Sequence, residues 1–133
     1  PRLWPDEVTA RREITRGAAA ATLILSSFDD KRMLFGDTSA EISAERLHAL
    51  GAEEIVIKNG AEACLVSLMG DTKVDVGSGQ WRVTPPVVAH PVDTTAAGDS
   101  FNAAYLADRL MDARAEAAAA QVIQQRGAIV NAP

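Results

Sequence analysis

Three short apolar runs of strand length constrain the fold of this chain more than any other feature. They cover residues 21–25, 54–58 and 63–68, and helical patterns separate the first run from the second. Buried parallel strands joined by right-handed helical crossovers show this alternation. The third run and a further extended segment at residues 73–76 follow tight turns, which predicts an antiparallel hairpin. The chain is therefore predicted to have an α/β fold with a hairpin beside a parallel core.

The segments between these runs have apolar residues at helical spacing. One helix is predicted over residues 5–17. Another is predicted over residues 41–50, with Thr38 or Ser39 as its cap and Gly51 at its C-terminal end. The predicted buried stripes are Val8, Ile14 and Ala18 in the first helix and Ile42, Leu47 and Leu50 in the second.

The second half of the chain has weaker signals. Residues 77–79 are predicted to form a loop, and residues 81–88, which contain two prolines, an edge or irregular segment. His90 precedes a proline and is predicted to be structural rather than catalytic. A further helix is predicted over residues 113–125.

Residues 92–106 form a loop of small residues that runs directly into a helical pattern. Ala96, Ala97 and Gly98 carry almost no side chain, so a ligand can approach their backbone closely. The first turn of a helix presents N–H groups and the positive end of the helix dipole, which together favour an anion. Asp99 lies at the same place, and a carboxylate beside an anion site suits phosphoryl transfer.

Ser26, Ser27, Asp29 and Asp30 follow the first strand and have two readings. They are suited to cap a short helix over residues 30–35, and this reading is favoured from the stretch alone. They would also lie at the carboxyl end of a buried parallel strand, where α/β proteins bind ligands.

Composition narrows the classes of partner. The formal net charge of −5 argues against a nucleic acid or an anionic membrane as partner. The single cysteine, Cys64, excludes an intramolecular disulfide and is predicted to be a small core residue. Because no signal peptide or membrane-spanning run is present, the expected location is the cytoplasm.

The stretch from Asp93 to Leu106 resembles the C-terminal signature of the ribokinase-like (PfkB) carbohydrate kinases. The amino-acid sequence of this stretch is most similar to the 2-dehydro-3-deoxygluconate kinase branch. The same holds for residues 2–4, 27–37 and 56–62. The resemblance implies a Rossmann-type three-layer α/β/α fold. It also implies a kinase that uses ATP and Mg²⁺ to phosphorylate a sugar acid, 2-dehydro-3-deoxygluconate, at its 6-position.

The family's general base falls on Asp99, which would take the proton from the attacking sugar hydroxyl. A positioned base contributes on the order of 10²–10⁴-fold in rate. The anion hole falls on the backbone of Ala96, Ala97 and Gly98, where one donor is worth roughly 3–4 kcal/mol in other enzymes.

The resemblance also assigns cofactor positions. Lys58 and Gly60 match the turn that lies along ATP, and Asp93 and Thr95 match positions that hold a monovalent cation such as K⁺ in some members. Ser27 and Asp30 match the Asn and Glu of the magnesium-associated motif. Ser27 carries a hydroxyl in place of the Asn, and Asp30 has a shorter side chain than the Glu. Asp30 is therefore expected to hold Mg²⁺ through water, with Ser27 near the nucleotide.

Members of the family are longer than this chain, so residues 1–133 are predicted to be the C-terminal, nucleotide-binding portion of the large domain. The sugar-binding residues and the small lid would lie elsewhere, and so would the surface through which the full-length protein forms homo-oligomers. The chain begins Pro1-Arg2-Leu3 without Met, as the middle of a longer protein would. The stretch between Met111 and Val122 is also about eight residues shorter than the resemblance predicts.

Two other functions stay open at this point. The signature contains residues that act on the phosphate and not residues that select the sugar. Another kinase of the family, of fructokinase or ribokinase type, therefore fits it equally well. A nucleotide- or sugar-binding module without catalysis is the second alternative, and the presence of Asp99 argues against it. The isolated 133-residue chain is expected to be inactive and poorly soluble, because it would expose sheet edges that missing strands cover.

Overall fold

The computed structural model describes residues 4–69, 79–89, 93–94 and 96–111. Two compact units make up the chain, Pro1–Val83 and Thr84–Pro133. The elements of the first unit are α1 (Glu7–Ala18), β1 (Leu23–Ser27), α2 (Phe28–Phe35), α3 (Ala40–His48), β2 (Glu54–Asn59), β3 (Glu62–Leu68) and β4 (Gly79–Val83). The second unit contains α4 (Ala97–Met111). No helix of the described ranges is long and apolar enough to cross a membrane.

The four strands form one sheet in the order β1-β2-β3-β4. β1 and β2 are parallel, as predicted, whereas β2 pairs antiparallel with β3 and β3 pairs antiparallel with β4. Gly79, predicted in a loop, instead opens β4. The segment after β4 is irregular, as its prolines predicted. The predicted strand at residues 73–76, the predicted helix at residues 113–125 and His90 lie outside the described residues.

The core of the first unit lies between α3 and the sheet. Ala40, Ala44 and Leu47 of α3 pack with Ile55, Ile57 and Leu65 of the strands. Alanines at these helix positions let the helix lie close to the sheet, because they add little volume between the two layers. Cys64 is buried, as predicted.

Two predicted stripe positions are wrong. Val8 is 74% exposed and Ile42 is 44% exposed. In α1 the buried face contains Ala10, with Ile14 and Ala18 half-buried four and eight residues later, which is the spacing of one helix face. Val8 has a larger apolar side chain than Ala10, but the neighbouring layer packs against the face of α1 that carries Ala10.

The helix ends follow local chemistry. Asp6 caps α1 by accepting hydrogen bonds from the N–H of Thr9 at 2.7 Å and from its Oγ1 at 2.8 Å. Ser39 caps α3 by accepting from the N–H of Ile42 at 3.3 Å, as predicted. The C-cap of α3 is Ala49 and not Gly51 as predicted, because the helix ends at His48; Gly51 turns the chain two residues after Ala49 with φ 106°.

A buried ion pair joins α3 to the turn after α2. Asp37 is 5% exposed and accepts from Nε of Arg46 at 3.1 Å, from Nη2 of Arg46 at 2.6 Å and from Oγ of Ser43 at 2.7 Å. The Arg46 guanidinium also lies 3.9 Å from the centre of the Phe35 ring. This cluster connects three segments that the hydrophobic pattern alone would leave independent.

His48, which has no obvious partner in the sequence, joins α3 to β3. Its Nδ1 lies 2.7 Å from the carbonyl oxygen of Ala52, and its Nε2 lies 2.8 Å from Oγ of Ser67. A carbonyl only accepts, so Nδ1 carries the proton and donates to Ala52. When the ring is neutral, Nε2 accepts from Oγ of Ser67, and the same oxygen accepts from Nε2 of Gln80 at 3.1 Å.

Candidate active site

The loop before α4 contains the only positive φ among the described non-glycine residues. Ala96 has φ 61°, the left-handed conformation that a Cβ disfavours by roughly 1–2 kcal/mol. The N–H of Ala97 donates to the carbonyl of Thr94 at 3.2 Å, and the N–H of Ser100 donates to Ala96 at 2.9 Å. The chain thus makes one tight turn at Ala96 and enters α4 directly.

Asp99 lies in the first turn of α4, where the sequence predicted a helix start. Its side chain is exposed and has no hydrogen bond or ion pair with any residue in the described part of the chain. A carboxylate at this end of a helix is favoured by the helix dipole. The position is therefore open to a ligand that approaches the start of α4.

One N–H group of the predicted anion hole is engaged within the turn itself. Gly98 is exposed in the first turn of α4. The N–H of Ala97, however, is engaged by Thr94 in the turn, so it could meet an anion only by sharing or leaving that bond. Asp93 is half-buried, and Thr95, the second predicted cation position, lies outside the described residues.

A second group of candidate residues follows the carboxyl ends of β1 and β2 in the first unit. Ser27 and Lys58 are register partners across the two parallel strands, which places their backbones about 4.8 Å apart. Ser27 occupies the cap position of α2 but makes no side-chain cap bond. The capping reading therefore fails for Ser27, and its hydroxyl is available at the strand ends where α/β proteins bind ligands.

Asp30 and Gly60 flank this pair. Asp30 lies in the first turn of α2, exposed and without a hydrogen bond or ion pair to the residues described. Gly60 has φ 58° in the β2–β3 turn, where Nδ2 of Asn59 donates to Oε2 of Glu62 at 2.6 Å. The turn that carries Gly60 is thus held by its own side chains.

The candidate residues do not form a metal centre by themselves. No three His, Cys, Asp or Glu side chains lie together in the described ranges in a way that could hold an ion. Magnesium in phosphoryl-transfer sites usually has one or two carboxylates and completes its shell with water and phosphate oxygens. The exposed carboxylate of Asp30 fits that donor set.

The sequence reasoning missed one unusual side chain near these residues. Lys31 follows Asp30 in α2 and is 8% exposed. Burial lowers its pKa from the ordinary value of 10.5, and the charge of Arg46 lowers it further, while Asp30 and Asp37 partly offset both effects. A lysine beside two aspartates in sequence gives no signal that it will be buried.

Residues 1–133 match the family described as pfkB family carbohydrate kinase. The 2-dehydro-3-deoxygluconokinases of Dickeya dadantii and Escherichia coli K12 are each 38% identical over 141 residues, covering 98% of this chain and 43% of the relative. The chain thus spans less than half the length of these relatives.

A solved structure with a similar fold is the aminoimidazole riboside kinase of Salmonella enterica, in complex with aminoimidazole riboside and an ATP analogue. It is 26% identical, with a TM-score of 0.75 over 94% of this chain and 43% of that kinase. The predicted ribokinase-like fold is therefore confirmed.

Proposed function

Because the chain belongs to the pfkB family of carbohydrate kinases, we propose that it is the nucleotide-binding part of an enzyme that phosphorylates a sugar acid with ATP. The observation that supports this most is Asp99. Its carboxylate is exposed at the start of α4, directly after the left-handed turn at Ala96 and without a structural partner among the described residues. An aspartate that served only to begin a helix would not require a left-handed turn before it.

In this proposal Asp99 takes the proton from a hydroxyl of the sugar acid as that oxygen attacks the γ-phosphorus of ATP. The bond to the β,γ-bridging oxygen breaks, and ADP leaves with the electron pair. The N–H groups at the start of α4, around Gly98, stabilise the charge on the transferring phosphoryl group. Catalysis of this kind depends mainly on positioning and electrostatics.

Ser27, Lys58 and Gly60 serve the nucleotide. Lys58 supplies a cation for phosphate, and Gly60 lets the β2–β3 turn lie against the nucleotide without a side chain. Magnesium would neutralise phosphate charge, and Asp30 would hold it through water. Asp93 and Thr95 would hold K⁺.

The substrate proposed is 2-dehydro-3-deoxy-D-gluconate, converted to its 6-phosphate. Its support is the name and 38% identity of the curated relatives. The test measures ADP release by the full-length protein with this sugar acid, fructose and ribose in parallel. The highest kcat/KM should belong to the sugar acid, and a preference for fructose or ribose would overturn the substrate but leave the kinase.

The role of Asp99 is tested by Asp99→Asn in the full-length protein. We expect kcat to fall by about 10²–10⁴-fold with a small change in KM for ATP, because only proton transfer is removed. Asp108→Asn, on the same helix, is the matched control and should change kcat less than about twofold. Undiminished turnover by the Asp99 variant would rule out the general base.

The isolated chain should show no turnover, since it contains less than half the length of the relatives. Robust ATP-dependent turnover by the 133 residues alone would contradict this. Undetectable turnover of all three sugars by the full-length protein, with ATP still bound, would favour a binding module instead.

A further inference from the structure

The helix that carries Asp30 in its first turn, α2, is only eight residues long. A helix this short is not stable by itself, so the packing at its two ends decides how it lies. At its start, Phe28 packs against the hydrophobic core, but Ser27 makes no side-chain cap bond. The attachment at the other end therefore matters for the orientation of the whole helix.

That attachment is made by Phe35, the last residue of α2, and Arg46 of α3. The Arg46 guanidinium lies 3.9 Å from the centre of the Phe35 ring. The ammonium of Lys31, which is buried in a groove lined by α1 and β1, lies 5.8 Å from the same centre. Asp37 accepts hydrogen bonds from Nε of Arg46 at 3.1 Å and from its Nη2 at 2.6 Å. A guanidinium bonded at two nitrogens has one orientation, so the ring stacked on it is fixed as well.

Release of this end of α2 would move Asp30 but not Ser27. Ser27 is the last residue of β1 and keeps its place in the sheet, in register with Lys58. Asp30 is exposed on the helix surface, which places its carboxylate about 5–6 Å from the helix axis. A roll of the helix by about 15° would shift that carboxylate by about 1.5 Å, more than a hydrogen bond to a metal-bound water tolerates.

We propose that Arg46 is a positioning residue for magnesium. Through the stacked ring of Phe35 it fixes α2 so that Asp30 can accept hydrogen bonds from the water ligands of the metal. Its effect reaches the site only through Asp30, and not by contact with nucleotide or metal. The inference rests on the proposed function, because Asp30 serves the metal only in that proposal.

Its test measures binding and not turnover. The full-length protein is titrated with Mn²⁺ in place of Mg²⁺, in the presence of a non-hydrolysable ATP analogue, and bound Mn²⁺ is followed by electron paramagnetic resonance. Arg46→Ala should raise the Kd for Mn²⁺ about threefold or more. The Kd for the analogue without metal should stay within about twofold, because Ser27, Lys58 and Gly60 lie on the strands and their turn and not on α2. An equal loss of both affinities would mean general loosening and would overturn the proposal.

Three further variants separate the route through Asp30 from other effects. Asp30→Asn should raise the Kd for Mn²⁺ about tenfold, and Arg46→Ala should add nothing further in the Asp30→Asn background. Phe35→Leu should reproduce the Arg46→Ala effect. Phe35→Tyr keeps the aromatic ring and should stay within about twofold of the unchanged protein.

His48→Ala is the matched control for loss of stability. It removes a contact made by the same helix, α3, but one that joins α3 to β3 and not to α2. It should therefore leave the Kd for Mn²⁺ unchanged. Met33→Ala, at an exposed position of α2, should leave it unchanged as well.

Four results would each overturn the proposal. They are an unchanged Kd for Mn²⁺ in both Arg46→Ala and Phe35→Leu, an equal rise in His48→Ala, a full Arg46→Ala effect in the Asp30→Asn background, and an unchanged Kd in Asp30→Asn itself, which would leave nothing to position. Each is compatible with normal turnover in the ADP-release assay. Failure here and failure of the proposed activity can therefore be told apart.

Discussion

Asp37 should be among the most sensitive positions of the first unit. Asp37→Ala removes the acceptor of three hydrogen bonds and leaves Ser43, which is fully buried, and Arg46 without their partner. Breaking a buried ion pair costs about 3–5 kcal/mol. The Arg46 side chain keeps 27% exposure, and water can reach it. We therefore expect the lower end, about 3 kcal/mol, or a fall in Tm of about 10 °C.

The assay is urea and thermal unfolding of the Asp37→Ala and Arg46→Ala chains and of the double variant. Since the two side chains act together, the double variant should be more stable than the sum of the single losses predicts, by at least about 1 kcal/mol. Glu7 and Arg11 provide the matched control, an exposed pair at 2.5 Å whose removal should cost less than about 0.5 kcal/mol. A loss at Asp37 no larger than this control would refute the reasoning.

The dependence of stability on pH provides a second measurement of the contact between Asp37 and Arg46. Burial raises the pKa of Asp37, but hydrogen bonds from Arg46 and Ser43 and the positive charges of Arg46 and Lys31 outweigh it and hold the pKa below 3.8. The stabilisation is therefore complete above the unfolded value of about 3.9 and is lost as pH falls through the lower folded value. The stability difference between the unchanged chain and Asp37→Ala should narrow below about pH 4, and a constant difference would contradict this.

Three further substitutions test local geometry by urea unfolding. Gly60→Ala should cost about 1 kcal/mol because φ is 58°, although no atom lies within 4 Å of the added Cβ; Gly17→Ala, equally unhindered but helical, should instead stabilise by up to about 1 kcal/mol. The same sign at both glycines would contradict the backbone argument. His48→Ala should cost about 2–3 kcal/mol, since it leaves the Ala52 carbonyl and Ser67 short of a partner; a change below about 0.5 kcal/mol would show that water replaces the ring.

The candidate site residues differ in how much of their conformation and bonding the sequence could predict. The start of α4 at Ala97 follows from small residues before an apolar helical pattern. The left-handed turn at Ala96 does not follow, because alanine is a poor choice for φ 61° and only the surrounding backbone bonds hold it there. For Ser27 the capping rule was misleading, since its side chain leaves the helix end unbonded.

The sequence by itself determined the order of helices and strands in the first unit, the parallel pair of strands, the start of α1, the cap at Ser39, and the family. These depend on spacing and on contacts between residues a few positions apart, which the chain encodes locally. Only the tertiary structure decided that Ala10 rather than Val8 faces inward, that Asp37 meets Arg46 and His48 meets Ser67, and that Lys31 is buried in a groove. Those outcomes depend on which distant segment packs against each face, and no local pattern contains that information.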